Sequence, residues 1–308
     1  MDAPLLTAKD AIELPDGRRL SYSVAGRLGG VPVLYFHGAI GSPPQGEREL
    51  ELAIEQFGIR YLMVDRPGFN GSDPQSGRRI ADFSTDVREL ADRLGLARFS
   101  ILGVSAGAPY ALACAAAMPE RVAAVAAVST IPPGFSPGRS RRTAPIYRLP
   151  LTLLHRYPRT IQSVADRALT LLRRRPVALR RLFALGAAAG DRDLLRTSET
   201  REVGVRRFLG ATARGSWPMI EEFLVCCSDW GFELDQVSQT VHLWHGLRDP
   251  IIPIDHADAI RRQLPHAWPR FVEAGHFFLR ARIGDILRPL AASAVEPRPA
   301  RGSDRLAA

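Results

Sequence analysis

The stretch SILGVSAGAPYALA, residues 100–113, limits the possible folds more than any other part of this sequence. An apolar run typical of a buried strand ends in GVSAG, and an alanine-rich helical pattern follows at once. A residue at such a sharp turn is forced into strained backbone angles, and its neighbours are crowded. Gly103 and Gly107 lack a Cβ atom and would relieve that crowding, which leaves the Ser105 hydroxyl clear of the sheet. The pattern therefore predicts a nucleophilic serine on a strand–turn–helix unit.

Strand and helix patterns alternate along most of the chain. Helical periodicity near residues 45–56, 82–94 and 255–264 separates short apolar or alternating runs, and a last helix closes the pattern. Seven runs are predicted to be strands: RRLSYSVAG, VPVLYFHG, IRYLMVDR, RFSILGVS, RVAAVAAVST, TVHLWHG and PRFVEAG. Strands that alternate with helices of about ten to fifteen residues favour parallel strands joined by helical crossovers. The expected fold class is therefore α/β.

The alternation breaks in the middle of the chain. The pattern there is helical, interrupted by prolines and glycines, and basic: residues 135–215 contain 18 arginines and five acidic residues. A helical insertion in one α/β domain explains this order most simply, since the strand pattern resumes at TVHLWHG. We predict a core formed by residues 1–130 and 235–294 and an arginine-rich helical insertion over 131–234. The tail, 295–308, has no apolar periodicity and is predicted to be disordered.

Two further residues have the chemistry that an activated serine needs. A serine hydroxyl is a weak nucleophile until a base removes its proton, and that base needs an acid to orient it. Asp249 lies in the loop after a late predicted strand, and His276 directly follows the final one. Both come where a parallel sheet gathers the carboxyl ends of its strands. Alternatively, Ser105 is a helix N-cap, Asp249 starts a turn and His276 is a surface histidine.

Acyl transfer also requires N–H donors for a developing oxyanion. One expected donor is the backbone N–H of Ala106, the residue after the nucleophile. The other should come from the loop after an earlier strand, and YFHGAIGSP supplies such a loop. Gly38 allows a tight turn there, so the backbone N–H of Ala39 is the expected second donor.

These motifs, in this order, resemble those of the α/β-hydrolase superfamily in its single-domain form with a lid. The matching pieces are His37-Gly38 after the third strand, DRPGFNGSDP (residues 65–74) after the fourth, the Gly103–Gly107 elbow, HGLRDPIIP around Asp249 and AGHF around His276. Apart from the inserted segment, they cover the chain from about residue 10 to residue 291. Each motif is weak alone, whereas five in sequence are specific.

The resemblance implies a fold and a set of roles. It implies an eight-stranded, mostly parallel sheet flanked by helices, with a helical lid inserted after the sixth strand. Ser105 would be the nucleophile, His276 the general base and then acid, and Asp249 the orienting carboxylate. A serine at the elbow also argues against the dehalogenase and epoxide-hydrolase branches, which use an aspartate there.

Other residues near these motifs are candidates for the substrate pocket. They are His37, Gly38, Ile40, Val104, Trp217 and Phe277. In the superfamily that the sequence resembles, the histidine matching His37 usually supports the loop rather than moving protons. The DRPGFNGSD turn is expected to shape the pocket, with Arg66 making structural hydrogen bonds. Trp217, Trp230 and Phe232 could line an acyl pocket or pack the lid.

The net charge of +9 raises the question of an anionic partner. Lys9 is the one lysine, so arginine carries almost all of the positive charge, a bias that often reflects codon composition. No nucleic-acid partner is expected. The arginine-rich insertion has three readings: a lid helix with a solvated basic face, a contact for an anionic part of the substrate or a phosphate-bearing thioester carrier, and a docking face for an acidic membrane or protein surface.

Composition excludes several other classes of protein. No apolar stretch reaches the length of a membrane-spanning helix, and the N-terminal residues do not resemble a signal peptide, so a cytoplasmic location is expected. Cys114 fits a helix core, and the adjacent Cys226 and Cys227 suit neither an ordinary disulfide nor a zinc site. A metal site formed by His242 and His245 with Asp249 is not expected, because the two histidines lie three residues apart on a strand and face opposite sides. No metal or organic cofactor is expected.

Three functional hypotheses follow from the sequence. The leading one is a serine hydrolase that cleaves an ester, lactone or thioester carbonyl of a small acyl substrate through an acyl-enzyme on Ser105. The second keeps the triad for C–C hydrolysis, lyase, perhydrolysis or acyl-transfer chemistry, because pocket and lid decide the reaction. The third is a receptor that binds a ligand in the pocket, or a basic scaffold that uses the insertion.

Overall fold

The structure is a computed structural model, and it describes residues 8–39, 47–136, 143–175, 177–178 and 198–294. Eight strands form one sheet in the spatial order β1-β2-β4-β3-β5-β6-β7-β8. They are β1 (Ala8–Glu13), β2 (Arg19–Gly26), β3 (Val31–Phe36), β4 (Ile59–Val64), β5 (Phe99–Val104), β6 (Val122–Val128), β7 (Thr240–Gly246) and β8 (Ala267–Val272). The sheet begins with two antiparallel pairings, β1 with β2 and β2 with β4. All the remaining pairings are parallel, which confirms the predicted mostly parallel sheet.

Helices cover both faces of this sheet. One face packs against α1 (Arg48–Gln56) and α9 (Leu279–Ala294). The opposite face packs against α2 (Phe83–Arg93), α3 (Ala108–Ala117) and α8 (Ile254–Gln263). Because both faces are covered, the central strands are apolar on both sides.

Strand β3 illustrates this double burial. Val33 and Tyr35 belong to the core on the α1 and α9 side, and Leu34 and Phe36 belong to the opposite core. Successive side chains of a strand point to opposite faces, so a continuous apolar run is what two covered faces require. The carboxyl end of β3 is thereby held beside the end of β5, with Phe36 paired to Gly103.

The described residues between β6 and β7 include four α-helices. They are α4 (Pro145–Arg156), α5 (Pro158–Arg173), α6 (Ser198–Ala211) and α7 (Trp217–Cys226). Helix α7 is the one most firmly joined to the core, because Phe223, Val225 and Cys226 are buried in the core cluster on the α2 and α3 side. This helix brings a segment of the predicted insertion against the sheet edge where the site forms.

Strand β1 is absent from the pattern-based prediction. Its sequence, AKDAIE, carries three charged residues and has no regular apolar alternation. It lies at the sheet edge and pairs only with β2, so it needs little apolar surface. The predicted disordered tail, residues 295–308, lies outside the described residues. In the part that the structure describes, no helix combines the length and the apolar character needed to cross a bilayer.

Candidate active site

Ser105 stands between strand β5 and helix α3. It begins a single-turn 3-10 helix, Ser105–Gly107, and its φ of 51° lies in the left-handed region. A non-glycine residue in that region is strained, and such strain is common at functional sites. The turn predicted from the GVSAG pattern is therefore present in the structure.

The glycines on either side of Ser105 are required by close contacts. A Cβ atom on Gly103 would lie 2.6 Å from Ala108 Cα, and one on Gly107 would overlap the carbonyl oxygens of Phe36 and His37. Real Cβ atoms do not approach other atoms so closely. The two glycines allow the turn to pack directly against helix α3 and the end of strand β3.

The His276 ring lies within hydrogen-bonding distance of both other predicted triad side chains. His276 Nε2 is 3.1 Å from Ser105 Oγ, and His276 Nδ1 is 2.7 Å from Asp249 Oδ2. A carboxylate can only accept, so Nδ1 carries the proton and Nε2 is free to accept from the serine hydroxyl. This is the geometry of a base that is held in one tautomer by an acid.

Asp249 is fixed by further hydrogen bonds. Its Oδ1 accepts the backbone N–H groups of Ile251 and Ile252, both at 2.9 Å. Burial alone would raise the pKa of Asp249, but the attraction of His276 when it is protonated, the hydrogen bond from its ring and the Ile252 N–H group hold that pKa below its ordinary value. The carboxylate is therefore ionised at neutral pH.

A second histidine lies beside this carboxylate. His245, on strand β7, is fully buried, and its Nε2 donates to the carbonyl oxygen of Ile252 across 2.7 Å. The same nitrogen is 3.6 Å from Asp249 Oδ2. Burial lowers the pKa of His245, so the ring is neutral and braces the loop that carries Asp249. Sequence reasoning considered this histidine only as a metal ligand and missed its contact with Asp249.

The predicted oxyanion region lies against Ser105. A Cβ atom on Gly38 would be 3.4 Å from Ser105 Cβ, so the loop after β3 passes directly beside the nucleophile. Ala39 follows in this loop and is partly buried against the core. Ala106 is buried at the start of the 3-10 turn. The loop and the turn thus flank Ser105 from two sides.

Three of the candidate pocket residues adjoin a triad residue or the loop after β3. The Phe277 ring contacts the His276 ring edge-on, with 5.0 Å between centroids, and Val104 is the residue before Ser105. His37 is buried, packs against Phe69, and donates from Nδ1 to the carbonyl oxygen of Gly38.

Two tryptophans suggested for an acyl pocket have other partners. The Arg159 guanidinium lies 3.6 Å from the centroid of the Trp217 ring. Trp230 is a core residue whose Nε1 donates to the carbonyl oxygen of Cys226, and its ring stacks on Phe232. No described contact joins either tryptophan to the three triad residues. Ile40, the remaining pocket candidate, lies outside the described residues.

A buried ionic cluster next to the site was missed by sequence reasoning. Glu222 of helix α7 is fully buried between Arg66 and Arg78, with N–O distances of 3.1 Å to each. Arg66 in turn donates to the carbonyl oxygens of His37 and Gly38, as expected for a structural arginine. The sequence does contain one sign of this cluster, a glutamate in the apolar helix WPMIEEFLVC, because acidic residues are rarely buried without a partner. The sequence alone does not identify that partner.

The described residues include no group of three or more His, Cys, Asp or Glu side chains arranged to hold a metal ion. All three cysteines are free thiols.

The fold and the site together define an α/β-hydrolase. A model of the alpha/beta hydrolase fold family matches residues 31–279, and the chain belongs to that family.

Curated relatives match a shorter part of the chain. It is 31% identical over 107 residues to an uncharacterized hydrolase, YcgS, of Bacillus subtilis, and 36% identical over 110 residues to 2-hydroxy-6-oxononadienedioate/2-hydroxy-6-oxononatrienedioate hydrolase 2 of Pseudomonas putida. These matches span 35% and 34% of this chain. They span only 36% and 37% of those proteins.

Solved structures resemble the chain over most of its length. One is the esterase RhEst1 from Rhodococcus sp. ECU1013, with a TM-score of 0.66 and 19% sequence identity. The superposition covers 94% of this chain and 99% of the esterase. At this identity the likeness concerns the fold alone.

Proposed function

We propose that the chain is a serine hydrolase that cleaves the carbonyl of an ester, lactone or thioester through an acyl-enzyme on Ser105. The observation that carries this proposal is the continuous hydrogen-bonded chain from Ser105 Oγ through the His276 ring to Asp249. The strained backbone of Ser105 supports it further. Membership of the α/β hydrolase family is consistent with this chemistry but leaves the substrate open.

The proposed reaction has two halves. His276 Nε2 takes the Ser105 proton as Oγ attacks the carbonyl carbon, and the backbone N–H groups of Ala39 and Ala106 stabilise the oxyanion. His276 then gives the proton to the departing alcohol or thiol, which leaves an acyl group on Ser105. A water molecule, deprotonated by the same nitrogen, attacks the acyl-enzyme and releases the acid and the free serine. Asp249 stabilises the protonated imidazole in both halves.

The second candidate is hydrolysis of a C–C bond beside a ketone in a carboxylate-bearing substrate. The observation that favours it is the 36% identity to the Pseudomonas putida hydrolase, whose named substrates are oxo-dicarboxylates without an ester group. The same three side chains would serve, since the superfamily fold supports both reactions. We propose the insertion over residues 131–234 as the lid that selects between such substrates.

One substrate panel, with one active-site variant and one control variant, tests both candidates. Wild type and Ser105→Ala are compared on short-chain nitrophenyl esters, acyl thioesters and a vinylogous oxo-dicarboxylate, with Ser76→Ala as a control on an exposed serine. We expect turnover by wild type and Ser76→Ala, and a loss on the order of 10⁴-fold or more in Ser105→Ala. Turnover of the oxo-dicarboxylate without ester turnover would favour C–C hydrolysis.

The same panel also tests the receptor hypothesis. A fluorophosphonate probe forms a covalent bond only with an activated serine, so wild type should be labelled and Ser105→Ala should not. Absence of both labelling and turnover in the wild type would overturn the hydrolase proposal and leave a ligand-binding protein.

The basic segment supports a proposal about the substrate's carrier. Residues 143–175 contain seven arginines and one acidic residue, and most of these arginine side chains are exposed. We propose that this segment contacts an anionic portion of the substrate or a carrier. The test compares the KM of a coenzyme A thioester with that of the N-acetylcysteamine thioester of the same acyl group, which lacks the anionic carrier. A lower KM for the coenzyme A thioester that disappears at high salt supports the contact, and equal KM values contradict it.

The free thiols are compatible with the predicted cytoplasmic location, which stays part of this proposal.

A further inference from the structure

Glu222 reaches the proposed oxyanion donor through one intermediate side chain. Arg66 is fully buried and donates to the carbonyl oxygens of both His37 and Gly38. Its Nε lies 3.1 Å from Glu222 Oε1, and the two groups form a buried ion pair without the alignment of a hydrogen bond. Arg66 therefore links helix α7, which precedes β7, to the loop that follows β3.

The carbonyl group of Gly38 and the N–H group of Ala39 belong to the same peptide unit. Every described peptide bond is trans, so the C–O and N–H bonds of that unit point in opposite directions. When Arg66 Nη2 and His37 Nδ1 hold the Gly38 oxygen, at 3.3 Å and 2.8 Å, they also fix the direction of the Ala39 N–H bond. Hydrogen bonds to the oxygen also polarise the peptide and strengthen its N–H as a donor.

The buried guanidinium of Arg66 needs a countercharge. An uncompensated buried charge is costly, so its position depends on the carboxylate that neutralises it. Glu222 supplies that carboxylate, and Glu222 is itself held by Arg78 Nη2 at 3.1 Å and by the Tyr110 hydroxyl at 3.2 Å. The carboxylate therefore has a defined position from which to fix Arg66.

We propose that Glu222 is a positioning residue for the oxyanion hole: it holds Arg66 in the orientation that aims the Ala39 N–H group. This role rests on the proposed function, since it assumes that an oxyanion forms beside Ser105. The consequence is that a helix of the proposed lid sets the strength of an oxyanion donor in the core.

Helix α7 offers a matched control one residue away. Glu221 bonds to Arg78 Nη1 at 2.7 Å and belongs to the same ionic cluster, but no described contact joins it to Arg66. Glu221→Gln and Glu222→Gln therefore remove the same charge from the same helix. Only the second change acts on the residue that holds the Gly38 carbonyl.

The test measures kcat and KM for a nitrophenyl ester and the inhibition constant of a boronic acid, which forms a tetrahedral adduct on the serine. The oxyanion exists only in the transition state and in that adduct. In Glu222→Gln we expect kcat and boronic acid affinity to fall together, by about tenfold or more, with KM nearly unchanged. The loss should stay below the ~10²–10³-fold effect of removing a donor outright. Glu221→Gln should stay within about twofold of wild type.

Two measurements separate positioning from general structural damage. Glu222→Asp keeps the charge and should recover part of the lost kcat. The amide resonance of Ala39 in ¹⁵N-labelled protein should shift in Glu222→Gln and not in Glu221→Gln, and this readout does not depend on turnover. If Glu222→Gln does not fold, Glu222→Asp and Arg66→Lys replace it, since Lys keeps the charge but cannot reach both carbonyl oxygens.

Several results would overturn the proposal. One is unchanged kcat and boronic acid affinity in folded Glu222→Gln. Another is a loss of kcat in Glu221→Gln equal to that in Glu222→Gln. A third is an Ala39 amide resonance that does not shift in either variant. In each case the wild type would still hydrolyse the ester, so the proposed function would stand. A wild type that neither hydrolyses the ester nor labels at Ser105 would instead remove the proposed function, and the oxyanion role of Glu222 with it.

Discussion

The hydroxyl group of Ser129 donates a hydrogen bond to the main-chain carbonyl of His276 across 3.2 Å. Ser129 follows the last residue of β6, has a φ of 49°, and donates its own N–H to the carbonyl oxygen of Trp244 on β7. One strained residue therefore joins the ends of two strands to the loop that carries the histidine. Ser129 thus holds the backbone of His276, while Asp249 holds its ring.

Replacing Ser129 with alanine should loosen that loop. We expect Ser129→Ala to lower kcat several-fold with little change in KM, and to lower the free energy of unfolding by about 1 kcal/mol, the usual value of one hydrogen bond. Ester kinetics and urea unfolding measure the two effects. Ser84→Ala, which removes a hydroxyl bonded to the carbonyl of Ala81, is the control and should leave kcat unchanged. Equal kinetics in the two variants would contradict the positioning role.

The neutral His245 predicts a dependence of stability on pH. Burial holds its pKa below the ordinary value of 6.5 in the folded protein. As pH falls through about 6.5 the unfolded chain binds a proton that folded His245 does not yet bind, so this contribution to stability is complete above that pH and is lost below it. Unfolding free energies at about pH 7.5 and pH 5.5 should therefore differ less in His245→Gln than in wild type. The same substitution at exposed His155 controls for the loss of a histidine, and an identical pH dependence in wild type and His245→Gln would refute the argument.

The contact between Gly107 and the end of β3 predicts a cost for any added methyl group. Gly107→Ala would push a Cβ atom into the carbonyl oxygens of Phe36 and His37. We expect the free energy of unfolding to fall by about 1–3 kcal/mol, as for other overpacked sites. The proposed ester hydrolysis should also slow, because the loop beside Ser105 moves. Gly29→Ala is the control, since nothing lies within 4 Å of the added atom there. The idea fails if urea unfolding finds the two variants equally stable.

The strained backbone of Ser105 predicts a difference in stability between two variants that lack its hydroxyl group. Glycine adopts a φ of 51° without strain, whereas alanine does not. The free energy of unfolding of Ser105→Gly, measured in urea, should therefore exceed that of Ser105→Ala by about 1 kcal/mol. We expect neither variant to hydrolyse esters. A glycine variant less stable than the alanine variant would mean that the turn is not strained.

The order of strands and helices could be predicted because its signals are local. The apolar runs around residues 31–36 and 99–104 indicate buried strands, and the GVSAG turn indicates the junction at Ser105. The fold class and the family followed from these signals and are confirmed. The roles of Ser105, Asp249 and His276 were also predicted from the sequence, and they stay predictions that the hydrogen-bond geometry supports.

Other features depend on partners that are far apart in the sequence. Strand β1 forms because the edge of β2 accepts it, although AKDAIE has no strong strand pattern. The neutral state of His245 follows from its burial beside the loop of Asp249. The sequence shows Glu222 only as an acidic residue in an apolar helix, and its ion pairs with Arg66 and Arg78 appear only in the folded structure.

The sequence by itself determined where most of the strands and helices occur and which residues have the chemistry for acyl transfer. Periodicity and turn chemistry depend on neighbours within a few positions, and these can be read from the order of residues. Only the tertiary structure decided which buried charges are paired and which peptide N–H groups are held in place. Those properties depend on distances of about 3 Å between side chains from separate segments, which exist only after the chain has packed.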